Sequence, residues 1–207
     1  MADVGATPLA EVSAGARHAP PDSAVRVKIV PVRGLPLVGA VLIGLVWAIA
    51  ANALWALDFF HVVAGAVWTV LDLFLGFVLG PTLGRLSIPA RGEFTARFMP
   101  KMVLIMPTAV VCTLAAGWQL ALHLGNVLAS SPNHGWVVAS MVVVAVMAVI
   151  ALGILEPANI AVLFEMRKPR PNGEVIARLM RRFIFTAGIT GAMQVATLVI
   201  MTKLASS

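Results

Sequence analysis

Five apolar segments, each about long enough to cross a lipid bilayer, constrain the fold of this chain more than any other feature. They cover about 35–56, 59–81, 100–123, 135–162 and 181–203. A helix needs about 20 residues to span about 30 Å of hydrocarbon. With 60% hydrophobic residues, the chain is also far more apolar than an average soluble domain. The sequence therefore predicts an all-α membrane bundle of five transmembrane helices.

The chain before the first apolar segment has a different composition. Residues 1–32 are rich in Ala, Pro, Gly and polar residues and contain no long apolar run. This composition predicts a disordered tail followed by one transmembrane domain over 33–207. Because a run from 35 to 81 is too long to cross once, the first two helices must be separated, and we place the break at 54–58. Trp55 and Asp58 in that stretch suit a membrane interface.

The positions of the basic residues predict the orientation of the bundle. Of the 15 Lys and Arg residues, all but Lys203 lie in or directly beside three regions: the tail, the loop between the second and third segments, and the loop between the fourth and fifth. In a five-helix chain these regions share one side. By the positive-inside rule, the N-terminus is expected in the cytoplasm and the C-terminus outside, with the protein in the inner (plasma) membrane of the cell. Charges set between apolar runs do not make a nucleic-acid-binding face, so the expected partner is the lipid bilayer.

One face of the second segment is polar. At 100° per residue, His61, Trp68 and Asp72 lie within about 40° of one another, and Asp58 lies one turn before His61. Ionisable groups are costly at membrane depth and usually face a bundle interior, a cavity or a bound group. We therefore expect the functional site on this face.

Three of the 4 histidines are expected near the outer ends of the helices. His61 opens the second helix beside Asp58, His123 closes the third, and His134 precedes the fourth. Imidazoles bind copper, zinc and haem iron, and a nearby carboxylate can fix the ring tautomer. His61 with His123 would suit a six-coordinate haem flanked by Trp68, whereas all three histidines would suit copper or zinc. The alternative is that they are amphipathic interface residues with no bound cofactor.

Two acidic residues lie within the apolar segments. Asp72 is expected roughly 18 Å below the outer end of its helix, where a lone carboxylate should be protonated or paired. Gln194 lies at a similar depth and is its predicted partner, in either a proton path or a neutral hydrogen bond between helices. Glu156, near the cytoplasmic end of the fourth helix, would pair with Arg85 or Arg182, or else serve as a proton entry point.

The chain carries no phosphate loop, nucleophile elbow or dehydrogenase fingerprint. These absences leave catalysis of the kind found in soluble enzymes without support, and they leave open whether the protein is an enzyme. Its single cysteine, Cys112, excludes a disulfide within the chain.

Several motifs resemble small bacterial membrane families. The stretch from Phe60 to Trp68, followed by Gly80-Pro81, resembles the opening His-x(6)-Trp helix of three groups. These are the copper-resistance D-like proteins, a set of uncharacterised integral membrane proteins, and the haem-containing protoporphyrinogen oxidase type. Similarity to the second and third helices of these groups, within about 58–140, lies in Pro107-Thr108, Thr113, Gly117-Trp118 and Gly135-Trp136.

The resemblance implies a cofactor and its ligands. In the haem-containing relatives the histidine that opens this helix is an axial ligand, which corresponds to His61, with His123 or His134 as the second ligand. Those relatives carry a lysine four residues after the tryptophan of the third helix, where this chain has Ser140. Protoporphyrinogen oxidation is therefore not expected. What the resemblance implies is a haem b or copper site near the outer face, acting in electron transfer or metal handling.

Two other functions remain open. Small residues such as Gly188 and Gly191 permit close helix packing, as in a non-enzymatic accessory or scaffold subunit bound to other membrane subunits or to copies of itself. A small proton-linked transporter would use Asp72 as the proton-carrying group. The sequence shows no duplicated pair of broken helices, which many transporters have.

Overall fold

The computed structural model describes residues 29–206. The predicted tail lies outside the described residues except for 29–32. Within the described range the chain forms five long helices and no strand: α1 (Leu35–Ala50), α2 (Leu54–Arg85), α3 (Ile88–His123), α4 (His134–Met166) and α5 (Gly173–Ala205). All five are long and apolar enough to cross a membrane when α1 is counted with the 3-10 turn before it, Val32–Gly34. The predicted all-α membrane bundle is confirmed, while the cytoplasmic placement of the N-terminus stays a prediction.

The break between α1 and α2 lies at 51–53, a few residues before the predicted position. Asn52 has a φ of 54°, a left-handed conformation that asparagine tolerates better than most residues. The backbone N–H of Ala53 donates to the carbonyl of Ala48 and closes the end of α1. Trp55 and Asp58 consequently belong to the first turns of α2 rather than to the break.

Helices α3 and α5 begin well before the apolar segments that predicted them. The side chain of Asn172 caps α5 by accepting hydrogen bonds from the backbone of Glu174 and Val175. Arg91, in the first turns of α3, donates to the carbonyls of Gly84 and Leu86 at the end of α2. The length of an apolar run corresponds to the part of a helix that lies in hydrocarbon. It therefore does not show where a helix continues as charged turns outside the hydrocarbon. We call the end of the bundle formed by 86–87 and 167–172 the basic end.

The helices pack as a four-helix ring with one helix outside it. Neighbours in the ring are α2 with α3, α3 with α4, α4 with α5, and α5 with α2, while α1 packs against α2 and α3. The main core contains Trp68, Met99, Leu163 and Phe183, at least one from each ring helix. Many valines and leucines on the outer faces are exposed, as expected for surfaces in contact with acyl chains.

Two of the ring helices each contain a wide, π-type turn. These turns are Phe74–Leu79 in α2 and Ala151–Leu155 in α4. Each lies just before a proline, Pro81 or Pro157. A proline ring clashes with the carbonyl four residues earlier and supplies no N–H to it. We attribute the wide turns to these prolines, because a looser turn makes room for the ring without ending the helix.

Helices α2 and α5 cross in direct backbone contact. A methyl group at Gly76 would overlap the Cα of Gly188, and one at Gly191 would lie 3.1 Å from the backbone nitrogen of Leu73. Small residues at such a crossing let two helix axes approach closely. This contact sets the spacing of the polar residues that lie beside it.

Candidate functional site

The polar face of α2 points into the bundle for most of its length. Trp68 is 2% exposed and Asp72 is fully buried, whereas Val67 and Val70, on other sides of the same turns, are exposed. Asp58, in the second turn of the helix, is exposed. The sequence pattern predicts that this face points into the bundle, because the opposite face of α2 is apolar throughout and can contact lipid.

Asp72 and Gln194 meet between α2 and α5, as predicted from their depths. The Gln194 amide donates from Nε2 to Asp72 Oδ2 at 2.9 Å, and Gln194 is 3% exposed. Trp68 and Thr190 adjoin the same carboxyl group. Among the described residues, however, Asp72 Oδ1, Trp68 Nε1 and Gln194 Oε1 have no hydrogen-bond partner. The site therefore has unused hydrogen-bonding capacity around one buried carboxyl group.

A polar stripe on α5 continues the site and was missed by the sequence analysis. Thr186, Thr190 and Gln194 follow one another at four-residue intervals, so they share one face of the helix. All three are buried, and the Thr190 hydroxyl donates to the carbonyls of Thr186 and Ala187. The four-residue spacing could have revealed the stripe, but threonines are common in membrane helices, so their presence alone does not indicate a site.

Glu156 is not paired as predicted. The ion pairs within the described residues join Arg97 to Glu93 and Lys168 to Glu165, so neither Arg85 nor Arg182 pairs with Glu156. Both arginines are exposed, whereas Glu156 is half-buried. Glu156 lies about ten residues, or about 15 Å, along α4 from the basic end, and Arg85 lies at that end. Arg182 is about as far along α5 as Glu156 is along α4, so its outward direction, and not its depth, separates it from Glu156.

Asn159 is a second buried polar residue that the site prediction omitted. It is 0% exposed, and neither atom of its side-chain amide has a hydrogen-bond partner among the described residues. It follows Glu156 by three residues and lies on the same side of α4. An amide in the middle of an apolar segment, three residues from an acid, was the available sequence signal.

His61 packs against the backbone of α3. Its ring nitrogen Nδ1 lies 2.9 Å from the carbonyl oxygen of Thr113, and a methyl group at Gly117 would lie 2.6 Å from the ring. The bond to a carbonyl requires the proton on Nδ1, which leaves Nε2 with the lone pair. Gly117 therefore makes room for the imidazole, and Trp68 lies two turns further along α2.

The other two histidines bind elsewhere, which corrects the prediction of a three-histidine metal site. His123 bonds to the side chain of Asn52, and Nδ1 of His134 lies 3.1 Å from the carbonyl oxygen of Val127. His123 is six residues, or about 9 Å, beyond Gly117 along α3. Within 29–206, no three His, Cys, Asp or Glu residues are grouped to hold a metal ion. Asp58, His61, His123 and His134 thus do not form one ligand set, and a haem held by His61 stays a prediction.

No protein-family model, no curated protein and no solved structure matches this chain. The site is therefore interpreted from its own geometry. The sequence resemblance to the copper-resistance D-like and haem-containing groups rests on the quoted motif residues and stays a prediction.

Proposed function

We propose that this chain is a small proton-linked membrane transporter in which Asp72 takes up and releases the coupling proton. The observation that carries the proposal is the Asp72 carboxyl group itself, fully buried between two membrane-spanning helices with one oxygen unbonded. Carboxylates at such depth are rare, and those that occur often belong to proton relays.

The surroundings of Asp72 suit a group that changes its protonation state. The ion pairs of the described residues do not include it, so no arginine or lysine holds it permanently charged. Gln194 can stabilise the carboxylate through its N–H donor, and it can rotate its amide to accept from the carboxylic acid. The Trp68 indole nitrogen is a further donor close to the charged form. The carboxylate and the carboxylic acid forms of Asp72 therefore both have suitable hydrogen-bonding partners beside them.

The wide turns give a second argument for transport. Transporters commonly place their sites where helices are interrupted near the middle of the membrane. In this chain α2 and α4 are continuous, but each has a wide turn next to an acidic residue: Phe74–Leu79 begins two residues after Asp72, and Ala151–Leu155 ends just before Glu156. Wide turns of this type are frequent at functional sites. They support the proposal as local changes in helix geometry beside the two acids.

Infrared spectroscopy of the reconstituted full-length chain tests the proposal. A protonated carboxylic acid has a C=O stretching band that shifts in D₂O. The band that belongs to Asp72 is identified as the one that the Asp72→Asn variant lacks. We expect this band to appear and disappear as pH is varied. Glu93→Gln, which removes an exposed carboxylate on α3, is the matched control and should retain it. A band that is unaffected by pH and by D₂O would contradict the proposal and leave Asp72 as a fixed hydrogen bond between helices.

We also propose, as a second candidate, a redox function with haem b or copper bound at His61. The bond from Nδ1 to the Thr113 carbonyl favours it, because metal-ligating histidines commonly donate their other ring N–H to such a group. The chemistry supplied by the group would be one-electron transfer. We expect the purified protein to show a haem Soret band or stoichiometric copper, and His61→Ala to abolish either signal. A colourless, metal-free preparation from cells supplied with both would remove this candidate.

A further inference from the structure

Buried polar groups continue from Asp72 toward the basic end of the bundle. The stripe of Gln194, Thr190 and Thr186 runs down α5 in that direction. Below it, α5 packs against the part of α4 that begins at Glu156. Polar groups thus follow the inner face of α5 from the carboxyl group of Asp72 toward that of Glu156.

A small cavity lies beside Glu156, where α3, α4 and α5 meet. Its volume is about 10 Å³, and its lining includes Pro107, Ala151, Glu156 and Phe183. A volume of about 10–15 Å³ is the least that holds one water molecule. The cavity is therefore large enough for a single water and too small for a larger solute.

A water in the cavity would have two polar partners. One is the carboxyl group of Glu156, the polar side chain in the lining. The other is the carbonyl of Val103, one turn before Pro107, which lines the cavity and provides no N–H for that carbonyl. Two partners are the fewest that keep a buried water in place.

Asn159, whose side chain adjoins the Glu156 carboxyl group, also indicates that something polar belongs here. Both atoms of its fully buried amide are unpartnered among the described residues, which is costly at membrane depth. Because Asn159 is one turn from Glu156 on the same side of α4, its amide is within reach of the acid or of a water bonded to the acid. A hydrated Glu156 would satisfy both residues.

The distance from this cavity to Asp72 is short. Phe183 lines the cavity and Thr190 adjoins Asp72, and seven residues of α5 separate them, or about 10 Å. Thr186 lies between them on the polar stripe. The hydroxyl groups of Thr186 and Thr190 therefore lie along the route that a proton would take from the cavity to Asp72.

We propose that Glu156, with one water in the cavity beside it and Asn159 one turn away on α4, relays protons between the basic end of the bundle and Asp72. The inference rests on the proposed function, in which Asp72 exchanges its proton. In one transfer, the Glu156 carboxylic acid gives its proton to the water, the water passes a proton on toward the Asp72 carboxylate, and a proton from bulk water restores Glu156. Only O–H bonds break and form, and one positive charge moves inward.

The test is the rate at which the Asp72 infrared band shifts after a jump from H₂O to D₂O, measured on the full chain in liposomes. Replacing Glu156 with Gln removes the relay acid but keeps the shape of the side chain. We expect Glu156→Gln to slow the exchange at Asp72 roughly a hundredfold, as for loss of a positioned acid or base. Glu156→Asp should restore part of the rate, and Glu93→Gln should leave it unchanged.

Two further variants separate a relay from a packing role. Asn159→Leu and Ala151→Val, the second of which fills the cavity, should also slow exchange while the Asp72 band itself remains. An unchanged rate in folded Glu156→Gln would overturn the relay but leave the proposed function standing. If Glu156→Gln does not fold, unchanged rates in the other two variants would overturn it equally. Absence of any exchangeable Asp72 band would instead reject the proposed function.

Discussion

Single residues in this bundle act mainly through the hydrogen bonds that they make or leave unmade. Gln194 donates a side-chain hydrogen bond to Asp72, and both residues lie where water is scarce. Its position on α5 could be matched to that of Asp72 by counting residues from the membrane surfaces. The unbonded atoms of Trp68 and Asn159 could not be found in that way, because partner geometry depends on how the helices are rotated.

The Asp72–Gln194 contact predicts a measurable loss of stability. Gln194→Leu keeps the side-chain volume but removes the donor to Asp72 Oδ2. We expect the free energy of unfolding to fall by roughly 0.6 kcal/mol, the average measured for hydrogen bonds between membrane helices, and by no more than about 1.7 kcal/mol, the largest such value. Unfolding in mixed detergent would measure it. Gln119→Leu, at a half-buried position on α3, is the control and should cost less. Equal effects of the two substitutions would mean that the Gln194 bond contributes nothing specific.

Whole helices are positioned by glycine contacts and by prolines. The crossing of α2 and α5 at Gly76 and Gly188 brings their backbones together, and the wide turns allow Pro81 and Pro157 to remain inside continuous helices. Both glycines were visible in the sequence as small residues in apolar segments. Which glycine faces which helix depends on helix rotation, since a glycine has no side chain whose polarity could indicate a direction.

The crossing predicts different effects for two similar substitutions. A methyl group at Gly76 would overlap the backbone of α5, whereas one at Gly188 would lie 3.5 Å from the Cα of Gly76 in ordinary contact. We expect Gly76→Ala to destabilise the protein by roughly 1–3 kcal/mol, the usual cost of overpacking. Gly188→Ala should change stability little. The same detergent unfolding measures both, and a tolerated Gly76→Ala would show that the helices do not approach this closely.

At the scale of the molecule, the chain crosses the bundle five times, so its loops are divided between two ends. Loops 86–87 and 167–172 lie at the basic end, and 51–53 and 124–133 lie at the other. The positive-inside rule predicts that the basic end faces the cytoplasm. With that orientation Glu156 would lie on the cytoplasmic side of Asp72, and the proposed relay would connect Asp72 to the cytoplasm.

Cysteine labelling in cells tests this orientation. With the buried Cys112 replaced by Ala, Arg170→Cys and Ser130→Cys each place one thiol at an exposed position at opposite ends of the bundle. We expect a membrane-impermeant thiol reagent added outside intact cells to label Ser130→Cys and not Arg170→Cys. Labelling of Arg170→Cys on opened membranes is the control for accessibility. The reverse pattern would place the basic end outside.

The sequence by itself determined the five helices, the inward direction of the α2 polar face and the pairing of Asp72 with Gln194. Apolar length, residue periodicity and depth are properties of one helix at a time, so they can be read along the chain. Only the tertiary structure decided that His61, His123 and His134 bind to separate partners, that Glu156 has no arginine beside it, and that a cavity lies next to it. Those features depend on the rotation and depth of the helices relative to one another. Close packing at small residues such as Gly76 and Gly117 sets that rotation and depth.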